Sequence, residues 1–260
     1  MVKLYTFFVS HFSEKARWAL DYEGIRYEEK VLVPGPHQLL TRRVARRTEV
    51  PLLQHDGKYV QGSGAILDHI AAALGGSRLT PMDPVQRAHT LDLEKTLDKV
   101  LGRGVQQVLY SVLLKDRATL IPLWSAGGPR WAPAFFALAF PAVASAVQRM
   151  YKTADTEGVA RTKQRFVTTF DELDALLAKQ PYFGGDAPNR IDITVASLLA
   201  PVCQPPEHRV KWPPMPAELA SVDASLRGRA TWNHVLRMYR DHRKPLPGSA
   251  AVLTQRRRQS

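Results

Sequence analysis

Two serines stand where a polypeptide stabilises negative charge well, at the beginning of a helix. Ser10 precedes a stretch of helical spacing over about residues 13–22, and Ser63 opens another over 63–74. The first backbone N–H groups of a helix are unpaired and its dipole makes that end partly positive, so a hydroxyl there helps to hold an anion. Serine is also an ordinary helix-capping residue, and Ser13 could cap the first helix instead of Ser10.

Short strands and helices must position these serines. The order of the predicted elements is strand 3–6, helix 13–22 ended by Gly24, strand 27–33, basic helix 38–47, strand 50–54, turn 55–57, strand 58–60 and helix 63–74. A βαβ unit followed by ββα predicts an α/β domain over residues 1–78.

Beyond a linker at residues 79–84, the pattern becomes helical. Residues 85–117 and 153–179 have the spacing of long amphipathic helices, and we expect an all-helical domain over residues 85–244. Between these helices, residues 118–150 form an interruption rich in proline and aromatic residues. Its uncharged run, residues 131–148, reaches the lower length limit of a membrane span, but two prolines interrupt it. We expect a buried or cleft-lining helix there and no membrane span.

Composition narrows the class of protein. A chain of 260 residues with 45% hydrophobic and 23% charged residues is typical of a globular protein. The single cysteine, Cys203, excludes an internal disulfide and a multi-cysteine metal site. The single cysteine favours a cytoplasmic location, because it fits a reducing compartment and no signal-peptide pattern lies near the first residue. Of the formal net charge of +12, +7 falls in residues 205–260, and we expect residues 245–260 to be a basic, flexible tail.

Four local motifs point to a known family. They are Ser-His-Phe-Ser-Glu-Lys-Ala-Arg-Trp-Ala-Leu at 10–20, Glu-Val-Pro-Leu-Leu at 49–53, Gly-Ser-Gly-Ala-Ile at 62–66, and Tyr-Phe-Gly-Gly-Asp with Asn-Arg-Ile-Asp-Ile over 182–193. Their order and spacing resemble the glutathione transferase family. The resemblance implies a thioredoxin-like N-terminal domain followed by an all-helical domain, and glutathione as co-substrate with no metal.

The resemblance also implies a way to activate the thiol of glutathione. An ordinary thiol with a pKa of about 8.5 is only about 3% thiolate at pH 7. Ser10 coincides with the activating serine of the family's serine-type classes and is the predicted catalytic residue. Thr6 stands where tyrosine-type classes have their tyrosine, Tyr5 would face the other side of the strand, and no cysteine precedes Cys203.

Further residues are implied as glutathione contacts. Pro51, following a cis peptide bond, would let Val50 present its backbone N–H and C=O to the cysteinyl part, and Ser63 would hold the γ-glutamyl carboxylate. Gly62 departs from the acidic or amide residue that the family has before that serine, and neighbouring Gln61 could substitute. For the glycine carboxylate, Arg42 is one of four arginines on the basic helix that could make the contact, although a solvated basic face is the expected role of most of them. Gln38 is a weaker candidate for the same contact.

The electrophilic acceptor is expected in a pocket between the two domains. Its predicted lining comprises Phe8, His11, Phe12, Tyr110 and Trp124. Most aromatic side chains of a helical domain belong to its core, so Tyr110 and Trp124 could be core residues instead. Segment 118–150 is longer than the family pattern, and we expect it to cover or narrow this pocket.

These residues favour a glutathione transferase that conjugates glutathione to small apolar electrophiles. The alternative is a noncatalytic protein of the same fold that binds apolar ligands or a protein partner. A nucleic-acid partner is not expected, because no recognised motif accompanies the basic charge. The resemblance implies a homodimer.

Overall fold

A computed structural model describes residues 1–76 and 78–246 of the chain. Of the predicted basic tail, residues 247–260 lie outside the described part. The fold class expected from the sequence is confirmed: an N-terminal domain of thioredoxin-like architecture precedes a helical domain.

The first domain alternates strands and helices in the predicted order. Its elements are β1 (Lys3–Thr6), α1 (His11–Tyr22), β2 (Glu28–Val31), α2 (Gln38–Val44), β3 (Leu52–His55), β4 (Lys58–Gln61) and α3 (Ser63–Ala73). Helix α1 begins two residues earlier than predicted, because Ser10 is its N-cap.

Within the described residues the strands form a four-stranded mixed sheet of order β2-β1-β3-β4. β1 pairs in parallel with β2 and antiparallel with β3, and β3 pairs antiparallel with β4. Asp56 and Gly57 join the last two strands with φ values of 48° and 76°. Positive φ at both central turn residues is what a two-residue hairpin of this twist requires, so the Asp-Gly pair explains the tight connection.

Helix α2 is shorter than the sequence suggested. The prediction ran to residue 47, whereas the helix ends at Val44 and Ala45 takes an extended conformation. Arg46 and Arg47 are therefore outside the helix, and only Arg42 and Arg43 of the four arginines lie on it.

The second domain begins with a helix that changes pitch along its length. Asp83 caps α4 (Pro84–Leu97), a π-helical segment follows at Asp98–Arg103, and α5 (Gly104–Leu113) continues it. Next along the chain come α6 (Arg117–Ser125), α7 (Ala132–Tyr151), α8 (Thr156–Leu177), α9 (Arg190–Cys203), a 3-10 turn at Ala217–Leu219, α10 (Ala220–Leu226) and α11 (Ala230–His242).

Residues 118–150 are not an interruption but two further helices, α6 and α7. Phe136 and Phe140 pack on Trp124 of α6 in a separate apolar cluster, which also includes Val33 of the first domain. Only this stripe of α7 is buried, so of the two expected alternatives the helix is not the buried one, and its residues Pro141, Ala144 and Gln148 line a groove instead. By length and composition α7 could cross a membrane, yet it packs here as a partly exposed helix of the second domain.

Helix α9 is the centre of the helical domain, and every residue of it is buried. A capping box begins it: the Asn189 side chain accepts from backbone N–H groups of the first turn, and Asp192 accepts from the Asn189 N–H at 2.8 Å. The buried Asp192 carboxylate also accepts from the N–H groups of Phe183 and Gly184 at 2.9 and 3.3 Å. One carboxylate thus satisfies three backbone donors of the preceding turn.

We predict that Asp192→Ala lowers the free energy of unfolding by about 3 to 5 kcal/mol, because it leaves several buried donors unpaired. Asp155→Ala is the matched control: it removes a single exposed N-cap bond to the Gly158 N–H and should cost about 1 kcal/mol. Urea unfolding measures both. Equal losses would contradict a central role for Asp192.

Candidate functional site

The last residues of β1, β2 and β4 and the first residue of β3 lie at the same edge of the sheet. Tyr5 of β1 is in register with Leu52 at the start of β3, and Leu52 in turn with Gln61 at the end of β4. Thr6 is in register with Val31 at the end of β2. The segments that follow β1, β2 and β4 and the segment that precedes β3 therefore leave the sheet at the same edge. These segments carry the serines and the Val-Pro pair that the sequence singled out.

Ser10 caps α1, and among the described residues its hydroxyl donates no hydrogen bond. Its Oγ accepts a hydrogen bond from the Ser13 N–H at 3.2 Å, and the residue is half-buried. A hydroxyl has two lone pairs and one proton, so accepting from Ser13 does not use the donor. The capping role and the predicted catalytic role are thus compatible. Ser13 itself is not the cap, because it lies inside the helix, fully buried, and its Oγ has no partner among the described residues.

Neither hydroxyl of β1 competes with Ser10. Thr6 is fully buried and donates to Glu29 Oε1 at 2.7 Å. Tyr5 points the other way and donates to Gln54 Oε1 at 3.1 Å. Both donors are occupied by neighbouring side chains.

His11, predicted as a pocket residue, is instead buried where the two domains meet. Its Nε2 lies 3.1 Å from the Gly102 carbonyl oxygen in the π-helical segment. Burial lowers the pKa of His11 to about 4, so the ring is neutral at pH 7 and donates this bond. It is not available as a base.

Phe12 also packs into the junction between the domains rather than into an open pocket. A Cβ on Gly102 would lie 2.3 Å from Phe12 Cζ, so only glycine allows the ring to approach the π-helical segment this closely. The altered pitch and the glycine together let the first turn of α1 dock on the second domain.

The bond between Val50 and Pro51 is cis, as the resemblance implied. The Pro51 carbonyl accepts from the Gly62 N–H at 2.9 Å. Val50 is buried, yet within the described residues its own N–H and C=O make no hydrogen bond. Buried backbone groups need partners, so an extended peptide lying beside Val50 would satisfy both.

Gly62 and Ser63 form the entry to α3. Gly62 has a φ of 97°, a value that favours glycine, although a side chain there would meet nothing within 4 Å. The backbone conformation, rather than lack of space, accounts for the glycine in place of an acidic or amide residue. Ser63 is the first residue of the helix and is 5% exposed, so its hydroxyl lies beside the unpaired N–H groups of the first turn.

Gln61 has a different task from the one expected. Its side-chain amide donates to the carbonyls of Arg47 and Glu49 at 2.6 and 2.9 Å, and its Oε1 accepts from the Arg47 N–H at 3.2 Å. These bonds fix the segment that leads into Val50. Gln38 is half-buried and accepts from the exposed Arg42 at 2.9 Å, so these two predicted residues lie together on α2.

The predicted pocket residues make contacts in different parts of the structure. Phe8 is held by two distant segments: the Arg209 guanidinium lies 4.0 Å from the ring centroid, and a Cβ on Gly127 would lie 2.4 Å from Phe8 Cδ2. Gly127 belongs to the α6–α7 connection, which therefore covers Phe8. Trp124 is buried and donates from Nε1 to the Tyr110 hydroxyl at 3.2 Å. The structure brings Tyr110 and Trp124 together, but Trp124 is a core residue.

A groove of about 670 Å³ adjoins Tyr110, but it lies between α5, α7 and α8 inside the helical domain, not between the domains. Within residues 1–76 and 78–246 no three His, Cys, Asp or Glu side chains are grouped so as to hold a metal ion. Burial raises the pKa of the Cys203 thiol well above its usual value, which makes it unreactive.

Sequence reasoning missed the buried charges of α1. Lys15 pairs with Glu94 and Asp98 of the second domain at 2.9 and 2.6 Å. Arg17 pairs with Glu14 at 2.7 Å and with Glu29 of β2 at 2.8 Å. Most of these partners are distant in the chain, so no local pattern reveals them, and the same charges resemble a solvated helix face.

The architecture and the site define a class: two-domain proteins in which the strand ends of a thioredoxin-like sheet face a helical domain. Residues 4–78 match the family model for the glutathione S-transferase N-terminal domain. The N-terminal domain is therefore similar in sequence to that family's N-terminal domain, and solved structures show the likeness of the fold.

Curated proteins are similar to part of this chain. A probable glutathione S-transferase of Nicotiana tabacum is 32% identical over 115 residues, which cover 44% of this chain and 50% of that protein. A glutathione S-transferase of Pseudomonas putida is 31% identical over 100 residues, 38% of this chain and 44% of that protein. The chain thus spans about half the length of the curated relatives that it matches.

Solved structures extend the likeness over both domains. The β-etherase LigF of Sphingobium sp. strain SYK-6 has a TM-score of 0.61 at 19% identity, covering 91% of this chain and 98% of that one. A glutathione S-transferase of Ceriporiopsis subvermispora, solved with glutathione, has a TM-score of 0.59 at 15% identity over 94% and 98% of the two chains. At these identities the likeness establishes the fold.

Gly127→Ala should displace Phe8. An alanine at this positive φ is strained by about 1 to 2 kcal/mol, and the clash with the ring should add at least about 1 kcal/mol. Gly24→Ala has a similar φ of 76° with nothing within 4 Å, and isolates the strain. If both variants lose the same unfolding free energy, Phe8 is not held as described.

Stability should fall as the pH is lowered from about 6.5 towards 4. The folded-state pKa of His11, about 4, lies below its ordinary value of 6.5, so the unfolded chain binds the proton first. His11→Gln should flatten the slope of unfolding free energy against pH in this range by up to about 1.4 kcal/mol per pH unit. His89→Gln, at an exposed position, should leave the slope unchanged. An equal slope in His11→Gln would show that His11 is not buried as the neutral form.

Proposed function

We propose that the protein is a serine-type glutathione transferase, in which Ser10 stabilises the thiolate of glutathione for attack on small apolar electrophiles. The observation that carries this proposal is the position of Ser10. Its hydroxyl caps α1 through an acceptor lone pair and keeps its proton for a ligand at the edge of the sheet where the strands end.

The energies available at this position suffice for activation. Lowering the pKa of a thiol by two units stabilises the anion by about 2.7 kcal/mol and raises its population at pH 7 roughly 25-fold. A hydroxyl that donates to a charged sulfur supplies about 1.5 to 3 kcal/mol, and a helix N-terminus adds about 0.3 to 1 kcal/mol. Ser10 and the α1 dipole together reach the required amount.

The remaining contacts follow from the unsatisfied groups near Ser10. The backbone of Val50 would pair with the cysteinyl part of glutathione, and Ser63 with the first N–H groups of α3 would bind the γ-glutamyl carboxylate. We assign Gln61 to support the segment before Pro51 instead of contacting the ligand. Arg42 remains our proposal for the glycine carboxylate, with Gln38 orienting it.

In the reaction, the thiol proton leaves to solvent and the sulfur lone pair forms a bond to the electrophilic carbon. The leaving group, or the electron pair of the attacked double bond, takes up the negative charge. The Ser10 hydroxyl donates to the sulfur until that bond forms. The acceptor would lie beside Phe8, where the α6–α7 connection and Arg209 narrow the space available to it.

We also propose a cytoplasmic homodimer with a role in detoxification. The family resemblance supports the dimer, and the lone buried cysteine is consistent with a reducing compartment. Analytical ultracentrifugation of the purified chain tests the dimer.

Ser10→Ala should lower kcat for conjugation roughly 10- to 100-fold, because it removes the donor to the thiolate. The alkaline shift of the pH–rate profile should accompany this loss, while the KM for glutathione changes little. Steady-state kinetics against a small aromatic electrophile measure both effects.

Ser10→Asp is the matched control for capping. Aspartate caps a helix as well as serine does, but it offers the sulfur no proton and adds a repulsive charge. We expect a stable, inactive protein. Full activity in Ser10→Ala, or in Ser10→Asp, would refute the catalytic role of Ser10.

A further inference from the structure

The loop that carries Ser10 leaves the sheet before α1 begins, and its Phe7 and Phe8 rings contact neighbouring segments, whereas its backbone makes few hydrogen bonds. Its turn is closed by one backbone bond, from the Ser10 N–H to the Phe7 carbonyl at 3.2 Å. A single bond of this length does not fix a loop, because a typical hydrogen bond contributes only about 1 kcal/mol. Other groups must hold the backbone of residues 7–10 in place.

Arg17, one and a half turns into α1, supplies them. Its Nη2 donates to the carbonyls of Phe7 and Phe8 at 3.1 and 3.0 Å. The side chain is 1% exposed, so these bonds form away from water. Because both carbonyls belong to the turn that ends at Ser10, the guanidinium fixes the backbone immediately before the proposed catalytic residue.

The guanidinium is itself held on its other sides. Its Nε donates to Glu29 of β2 at 2.8 Å and its Nη1 to Glu14 at 2.7 Å. Burial alone would raise the pKa of Glu14, but the guanidinium groups of Arg243 and Arg17 hold it well below its usual range, so the carboxylate is charged. Arg17 thus links the loop to both a strand and its own helix.

Arginine is required here by geometry. The planar fork donates in four directions at once, to two carboxylates and two carbonyls, whereas a lysine ammonium is a single point of charge with three donors. Arg243 gives a comparison within the same cluster. It pairs with Glu14 and Asp21 at 2.6 and 2.8 Å, and within the described part of the chain it makes no bond to residues 7–10.

We propose that Arg17 is a positioning residue, which holds the loop of residues 7–10 so that the Ser10 hydroxyl stays directed at the thiol. The consequence for catalysis rests on the proposed function of Ser10. The effect on the loop does not, since the bonds to the carbonyls exist whatever binds there. Misplacing a reacting group by about 1 Å can lower a rate by up to about 100-fold, so a modest shift of this loop is enough to matter.

The test compares Arg17→Lys with Arg243→Lys in the full chain. Both variants keep the charge and disturb the same ion cluster, but only the first removes the fork from the loop. We expect amide hydrogen exchange in peptides covering residues 7–13 to be at least about tenfold faster in Arg17→Lys and unchanged in Arg243→Lys. In conjugation kinetics, Arg17→Lys should lower kcat about tenfold or more, with the KM for glutathione changed by less than about threefold, and shift the acidic limb of the pH–rate profile to higher pH.

The two proposals fail separately. Equal exchange in residues 7–13 for wild type and Arg17→Lys would overturn the positioning role, whatever Ser10→Ala does. Faster exchange with unchanged kcat and pH profile would limit Arg17 to stability and also overturn it. Faster exchange together with an inactive wild type would support the hold on the loop while refuting the proposed chemistry.

Should Arg17→Lys not fold, the variant Glu14→Gln/Arg17→Met replaces it. It removes one charge of each sign, so Glu29 keeps Arg209 at 2.9 Å and Asp21 keeps Arg243 at 2.8 Å. No carboxylate of the cluster is left buried without a cation. The same exchange and kinetic measurements apply, with the same expected and contradicting results.

Discussion

A serine hydroxyl can cap a helix through an oxygen lone pair and still donate its proton to a ligand. The proposed chemistry of this protein depends on this double use of the Ser10 hydroxyl. The lone pair of Ser10 is committed to the Ser13 N–H, which orients the side chain at the start of α1. The proton and the second lone pair remain, and the proton can donate to a ligand at an end of the helix that already favours negative charge. Capping therefore orients the donor and does not compete with it.

The rest of the first domain brings the proposed ligand-binding groups to that donor. Register in the sheet fixes where the strands end, so the segments around Ser10, Val50 and Ser63 leave along one edge. Gln61 braces the approach to Pro51, and Arg17 braces the approach to Ser10. The second domain closes the site: the π-helical segment receives His11 and Phe12, and the α6–α7 connection covers Phe8.

The sequence predicted those features whose causes are local. The Asp-Gly turn and the order of the elements along the chain follow from conformational preferences within a few residues, and the cis bond before Pro51 followed from a family motif. Helix α2 was predicted too long, because its arginines favour a helix but Ala45 becomes extended. Local periodicity also could not show that the proline-rich segment 118–150 is two helices packed on each other, since their stability comes from the aromatic cluster.

What could not be predicted is the pairing of charges across the fold. Glu29 and Arg209 are 180 residues apart in the chain, and Arg17 meets both the strand and the loop only after α1 packs on the sheet. In sequence such residues look like the polar face of a helix. Their burial decides their role, and burial is a property of the folded chain.

The central claim is that this protein holds the sulfur of glutathione as an anion at neutral pH. A titration of the bound thiol, followed by the ultraviolet absorbance of the thiolate in the binary complex, measures it directly. The account predicts an apparent pKa about two units below that of free glutathione, near 6.5 if the free thiol is taken at about 8.5. A bound thiol that titrates with the same pKa as free glutathione would contradict it.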